Sequence, residues 1–161
     1  MAPDSYPIEA GWAELRDDGS IVSAGMLIKR PSGWTDWSPS SGRIHGITRA
    51  DLLESGQPAE LVVEALEATL GDRLVYSDAP EAEAMWADRL YRHVGLMRRW
   101  RIGDAIARMA TFVGDQADQD ILEQYLGSSR PHRAEADARL LATAYASLRD
   151  RWRARRGLGH A

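Results

Sequence analysis

His132 and Asp137, in the run HRAEAD, are the residues whose types and spacing could do chemistry. They follow the breaker run Gly127-Ser128-Ser129-Arg130-Pro131 and open a long helical pattern, RLLATAYASLRDRW. Pro131 cannot lie in a helix interior, so His132 falls at the helix mouth and Asp137 in the second turn. On a regular helix, side chains five residues apart point about 140° apart. A histidine in the non-helical lead-in escapes that limit and can fold back over the carboxylate. Such a pair suits metal-assisted phosphodiester hydrolysis, in which the carboxylate holds a divalent ion and the imidazole takes a proton from the attacking water. The plainer alternative makes His132 a capping-region residue and Asp137 a solvated helix charge. For an isolated H-x-x-x-x-D, that alternative is the stronger one.

The elements that must position this pair belong to a chain of 161 residues, the length of one domain with a real core. A net charge of −4 and an ordinary apolar fraction predict a soluble globular protein. There is no basic excess of the kind a sequence-specific DNA binder carries, so any nucleic-acid contact should be local and metal-assisted. The absence of cysteine removes disulfides, thiol catalysis and thiolate zinc sites, consistent with a cytoplasmic location. No apolar run approaches the roughly 18 residues that span a bilayer, and MAPDSYP is no signal peptide.

Two strands are predicted over Ile8–Ala13 and Ile21–Ile28, joined by a turn at Asp17-Asp18-Gly19-Ser20. The stretch Arg30–Gly42 is turn-rich and carries Trp34 and Trp37; two such residues can form a base-stacking platform. General burial behaviour favours plugs at the edge of a core by about two to one. Thr48 and Asp51 form a capping-box pattern before a short helix. A longer helix begins near Pro58, with Leu61, Val62, Ala65, Leu66, Thr69 and Leu70 as its apolar stripe, and ends at Gly71. Leu74–Ser77 reads as a short buried strand running into Asp78, an N-cap candidate for the next helix. That helix shows Ala82, Met85, Trp86, Leu90 and Val94 on one side. Met97–Ile102 is a weak strand, and Ala105–Phe112 is helical. Ile121, Leu122, Tyr125 and Leu126 stripe another helix. The last helix buries Leu140, Leu141, Ala144, Tyr145 and Leu148, then turns arginine-rich over residues 149–156. That basic end suits a helix C-terminus and can touch phosphate, although a solvated face is the simpler account.

This order of elements predicts an α/β domain with a mixed sheet covered by helices. Sites in such sheets gather at strand ends, where Asp78 lies, and His132 and Asp137 can be brought beside it.

Four runs carry a resemblance: IEAGWA at Ile8–Ala13, IHGIT at Ile44–Thr48, VYSDAPE at Val75–Glu81 and HRAEADAR at His132–Arg139. In that order and spacing they resemble the DEDDh 3′-5′ exonucleases, of ribonuclease H-like fold, over nearly the whole chain. The resemblance implies a metal-dependent exonuclease acting on single-stranded RNA or DNA 3′ ends with Mg²⁺ or Mn²⁺. It makes Asp137 the last metal-binding carboxylate, His132 the general base and His45 a substrate-binding residue. The middle carboxylate corresponds to Glu83, preceded by Ala82 where the family has an aromatic residue, with Asp78 as the other candidate.

A larger departure concerns the family's first strand, which carries Asp-x-Glu and lies centrally in the sheet. Only Met1–Pro7 precedes Ile8 here, and Pro3 and Pro7 suit no central strand. The expectation is a single exonuclease-like domain, residues 1–161, incomplete at its N-terminus and lacking that central strand. Roughly ten to fifteen in-frame residues would lie upstream, about 5–6 of them forming a strand. Without the first motif, a competent metal pair is not expected. Two alternatives stand beside the enzyme: an inactive nucleic-acid-binding module of the same fold, and an unrelated α/β interaction domain. Homodimerisation through the Trp-bearing loop is left open, and no membrane partner is expected.

Overall fold

The computed structural model describes residues 5–157. β1 (Glu9–Leu15) and β2 (Ile21–Leu27) form an antiparallel pair. Their turn closes where Arg16 N donates to Ser20 O at 2.9 Å and Gly19 takes φ 82°. Asp18 Oδ1 accepts from both the backbone and the hydroxyl of Ser20, locking the turn as its composition predicts. Three helices follow: α1 (Pro39–His45), α2 (Arg49–Glu54) and α3 (Ala59–Leu70). The first of these replaces part of the expected turn-rich stretch, because Ser38 caps it and Pro39 starts it. The Thr48–Asp51 capping box is present in both directions, at 2.7 and 3.1 Å.

β3 (Leu74–Ser77) and β4 (Arg101–Asp104) form a parallel pair connected through α4 (Pro80–His93), since parallel strands need a long crossover. The remainder is α5 (Ala105–Ala110), α6 (Gln116–Gly127) and the 22-residue α7 (Ala134–Arg155). The class is α/β with two small sheets. No helix among the described residues is long and apolar enough to cross a membrane.

Three local expectations are corrected. β3 is not buried: Leu74 and Tyr76 are 46% and 38% exposed, because burial on both faces needs cover on both. β4 starts later than Met97, which is itself exposed. Arg98 binds Asp88 and the carbonyl of Trp100, and these bonds hold the preceding residues as an irregular turn. Asp78 does not cap α4. The cap position is Ala79, with no side-chain bond, and Asp78 makes charge-assisted bonds elsewhere.

The chain packs as two compact units. One comprises residues 5–10, Gly25–Val75 and Ala79–Ile102, and the other Gly11–Ala24, Tyr76–Asp78 and residues 103–157. The first is built on Ile28, Leu52, Val62, Val63, Leu66, Leu90 and Tyr91, all nearly inaccessible. Tyr91 donates to Glu67 at 2.8 Å and accepts from Trp100 Nε1 at 2.8 Å, so its hydroxyl is satisfied on both sides.

In the second unit, Met109, Phe112, Leu122, Tyr125 and Leu148 form the core of a helical cluster, flanked by Leu140, Leu141, Ala144 and Tyr145. Here β1 supports the mouth of α7. A Cβ on Gly11 would lie 2.2 Å from the carbonyl carbon of Ala134. The glycine of the IEAGWA run is therefore needed for close backbone approach. Ser23 of β2 donates to Glu135 Oε1 at 2.9 Å on the same helix turn. Gly11→Ala is expected to cost at least the roughly 1–3 kcal/mol typical of overpacking. Urea denaturation measures it, and wild-type stability would refute the close approach.

Candidate functional site at the mouth of the last helix

Pro131 interrupts the backbone ladder, and α7 starts three residues later, after the non-helical Arg133. His132 is exposed and sits at φ 52°, in the left-handed region. It is the one non-glycine residue with positive φ among the described residues. His132 thus lies in the non-helical lead-in to α7, where the sequence placed it. Asp137 lies within the helix, its N–H bonded to Arg133 O at 2.9 Å. It is half-buried, and its Oδ1 is buried without a hydrogen-bond partner.

Tyr125 of α6 bonds to Asp78 and feels the charge of Asp137. Its hydroxyl donates to Asp78 Oδ2 at 3.0 Å. Burial, and secondarily the negative charge of Asp137, push the Tyr125 pKa up to about 12. The phenol therefore stays protonated and acts as a donor. Arg130, in the breaker run, pairs with Asp78, reaches Tyr125 OH at 3.0 Å and lies over its ring at 4.7 Å. The two carboxylates, one bonded to this tyrosine and one acting on it through its charge, differ in situation. Asp78 is neutralised by a guanidinium, whereas the buried oxygen of Asp137 has no donor.

Two other expected site residues belong to the first unit. Glu83 is exposed in the first turn of α4. His45 ends α1 and accepts the Ile47 N–H on Nδ1 at 3.0 Å, a local turn bond. Among the described residues, no group of three or more His, Asp or Glu side chains is arranged to hold a metal ion.

Tyr125 and Arg130 were not singled out from sequence. Tyr125 falls in an apolar helical stripe and reads as core, and Arg130 lies among loop residues. The available signal was chemical: a tyrosine buried in such a stripe needs a partner for its hydroxyl. Asp78→Asn is expected to cost about 1.5–3 kcal/mol, the usual worth of bonds to a charged group, as read by urea denaturation. An unaltered midpoint would show the bonds from Arg130 and Tyr125 to be incidental to stability. No family model and no curated protein matches the chain.

Proposed function

We propose that the chain is a ribonuclease H-like domain of the DEDDh 3′-5′ exonuclease type, acting with Mg²⁺ or Mn²⁺ at single-stranded RNA or DNA 3′ ends. The observation that carries this reading is the buried, unpartnered Oδ1 of Asp137, one helix turn inside a mouth that exposes His132. A buried carboxylate oxygen without a donor is costly, and a hard divalent cation is a partner that carboxylate oxygens take. The sheets agree with it as well. By the same resemblance, an antiparallel hairpin and a parallel βαβ pair are what lie on the two sides of the family's first strand.

The described residues fit one ion at Asp137 and do not fit a pair, because Asp78 is already held by Arg130 and no third ligand joins them. When bound, such an ion supplies a water of lowered pKa and neutralises charge on phosphate. His132 is the group that accepts a proton, since its ring is exposed and carried outside the helix. Tyr125, protonated, cannot be a base; it orients Asp78. Arg130 fixes the loop that ends at Pro131 by binding Asp78, and so sets where His132 begins.

The absence of a three-ligand cluster among the described residues favours a second reading, a nucleic-acid-binding domain that does not hydrolyse. A 5′-labelled single-stranded oligonucleotide incubated with the protein and Mn²⁺ separates the two. Shortening from the 3′ end, abolished by chelator and by Asp137→Asn, is the expected result. Retention without shortening selects the second reading, and the absence of both retention and shortening overturns both.

A further inference from the structure

The first unit contains a groove of about 760 Å³ lined by Gly33, Trp34, Thr35, Asp36, Trp37, Arg49 and Arg89. Trp34 is fixed by Tyr6, stacked at 5.0 Å, and by His93 at 5.1 Å. The Arg49 guanidinium lies 5.4 Å from the Trp37 ring centre. Behind this wall Tyr6 is 8% exposed; burial raises its pKa, and the charge and hydrogen bond of Arg30 act against that rise. Plugging a core edge explains the packing of Trp34 on Tyr6. It does not explain Arg49 and Asp36 at the indoles; Arg89, on the same lining, also donates to the carbonyl of Ser5.

We propose that this groove binds a nucleoside 5′-monophosphate unit, with the base against the indoles and the phosphate on Arg49 and Arg89. Indole faces take any base by stacking, and guanidinium forks match phosphate oxygens. Asp36 disfavours a bare anion but accepts N–H donors from a base edge, so base and phosphate together are selected over phosphate alone. The volume lies within the range of small-molecule sites. The inference does not depend on hydrolysis at His132.

Calorimetric titration of the intact protein with adenosine 5′-monophosphate and with inorganic phosphate tests it. Saturable nucleotide binding is expected, with phosphate weaker by about tenfold or more, the change that loss of one base stack produces. Trp37→Ala and Arg49→Gln should each weaken the nucleotide by about tenfold; Arg49 is exposed, so its replacement leaves the fold intact. Asp137→Asn should leave binding unchanged, which separates this site from the helix mouth. The proposal is overturned by absent saturable binding, by phosphate binding as tightly as nucleotide, by indifference to Arg49→Gln, or by loss in Asp137→Asn.

Discussion

If His132 is the general base of the proposed exonuclease, replacing it by alanine in an active, extended form of the chain lowers turnover on a single-stranded 3′ end by about 10²–10⁴-fold, the usual contribution of a positioned general base. The folded state should not suffer, because the side chain is exposed and no part of the core rests on it. Glycine at the same position gives a sharper test. Residue 132 sits at φ 52°, where any Cβ is strained and glycine is not. His132→Gly should therefore match or exceed the wild-type unfolding midpoint while losing activity as alanine does. Strain that persists against stability is a mark of a functional position. If His132→Gly keeps its turnover, the histidine has no part in the reaction and the left-handed conformation is only a feature of the loop after Pro131.

Removal of the Asp118 carboxylate should be strongly destabilising. Asp118 of α6 is fully buried, yet charged. Arg151 binds its Oδ1, Arg155 lies 2.5 Å from Oδ2, and Gly114 N donates to it at 2.9 Å. Arg151 also reaches Asp115 at 3.0 Å, and Arg155 donates to the carbonyl of Phe112 at 2.6 Å. The arginine-rich end of α7 is thus neither a solvated face nor a phosphate contact at these two positions; it clamps α7 to α6. Asp118→Ala should cost about 3 kcal/mol, the low end for breaking a buried pair because both arginines are partly exposed. Asp118→Asn keeps an acceptor for Gly114 and should fall between the two. A loss in urea no larger than a surface substitution gives would show the clamp to be incidental.

The same cluster sets a pH dependence. Burial pushes the Asp118 carboxyl up, but hydrogen bonds from Arg151 and Gly114 and the charges of Arg155 and Arg151 outweigh it and hold the pKa below the ordinary value. A carboxylate lowered in the folded state contributes stability that is complete above its unfolded pKa, about 3.9. That contribution is lost as pH falls through the folded value. Wild-type stability should therefore drop below about pH 3.9, and the drop should be shallower in Asp118→Ala.

What the amino-acid sequence determined by itself is mostly local. The turn at Asp18-Gly19, the Thr48–Asp51 box, the end of α3 at Gly71 and the start of α7 after Pro131 all rest on contacts within a few residues, which composition encodes directly. The placement of His132 outside the helix and Asp137 within it belongs to the same kind, because one proline decides it. Only tertiary structure could decide which charges are spent on the fold. Asp78 reads as a helix cap or a metal ligand until Arg130 and Tyr125, some fifty residues later, are seen to bind it. Asp118 and Arg155 look like surface charges on two amphipathic helices until the helices pack and exclude water between them. The need for glycine at Gly11 appears only when Ala134 comes against it. In each case the deciding interaction joins residues far apart in the chain, and its worth depends on burial, a property that no local pattern carries.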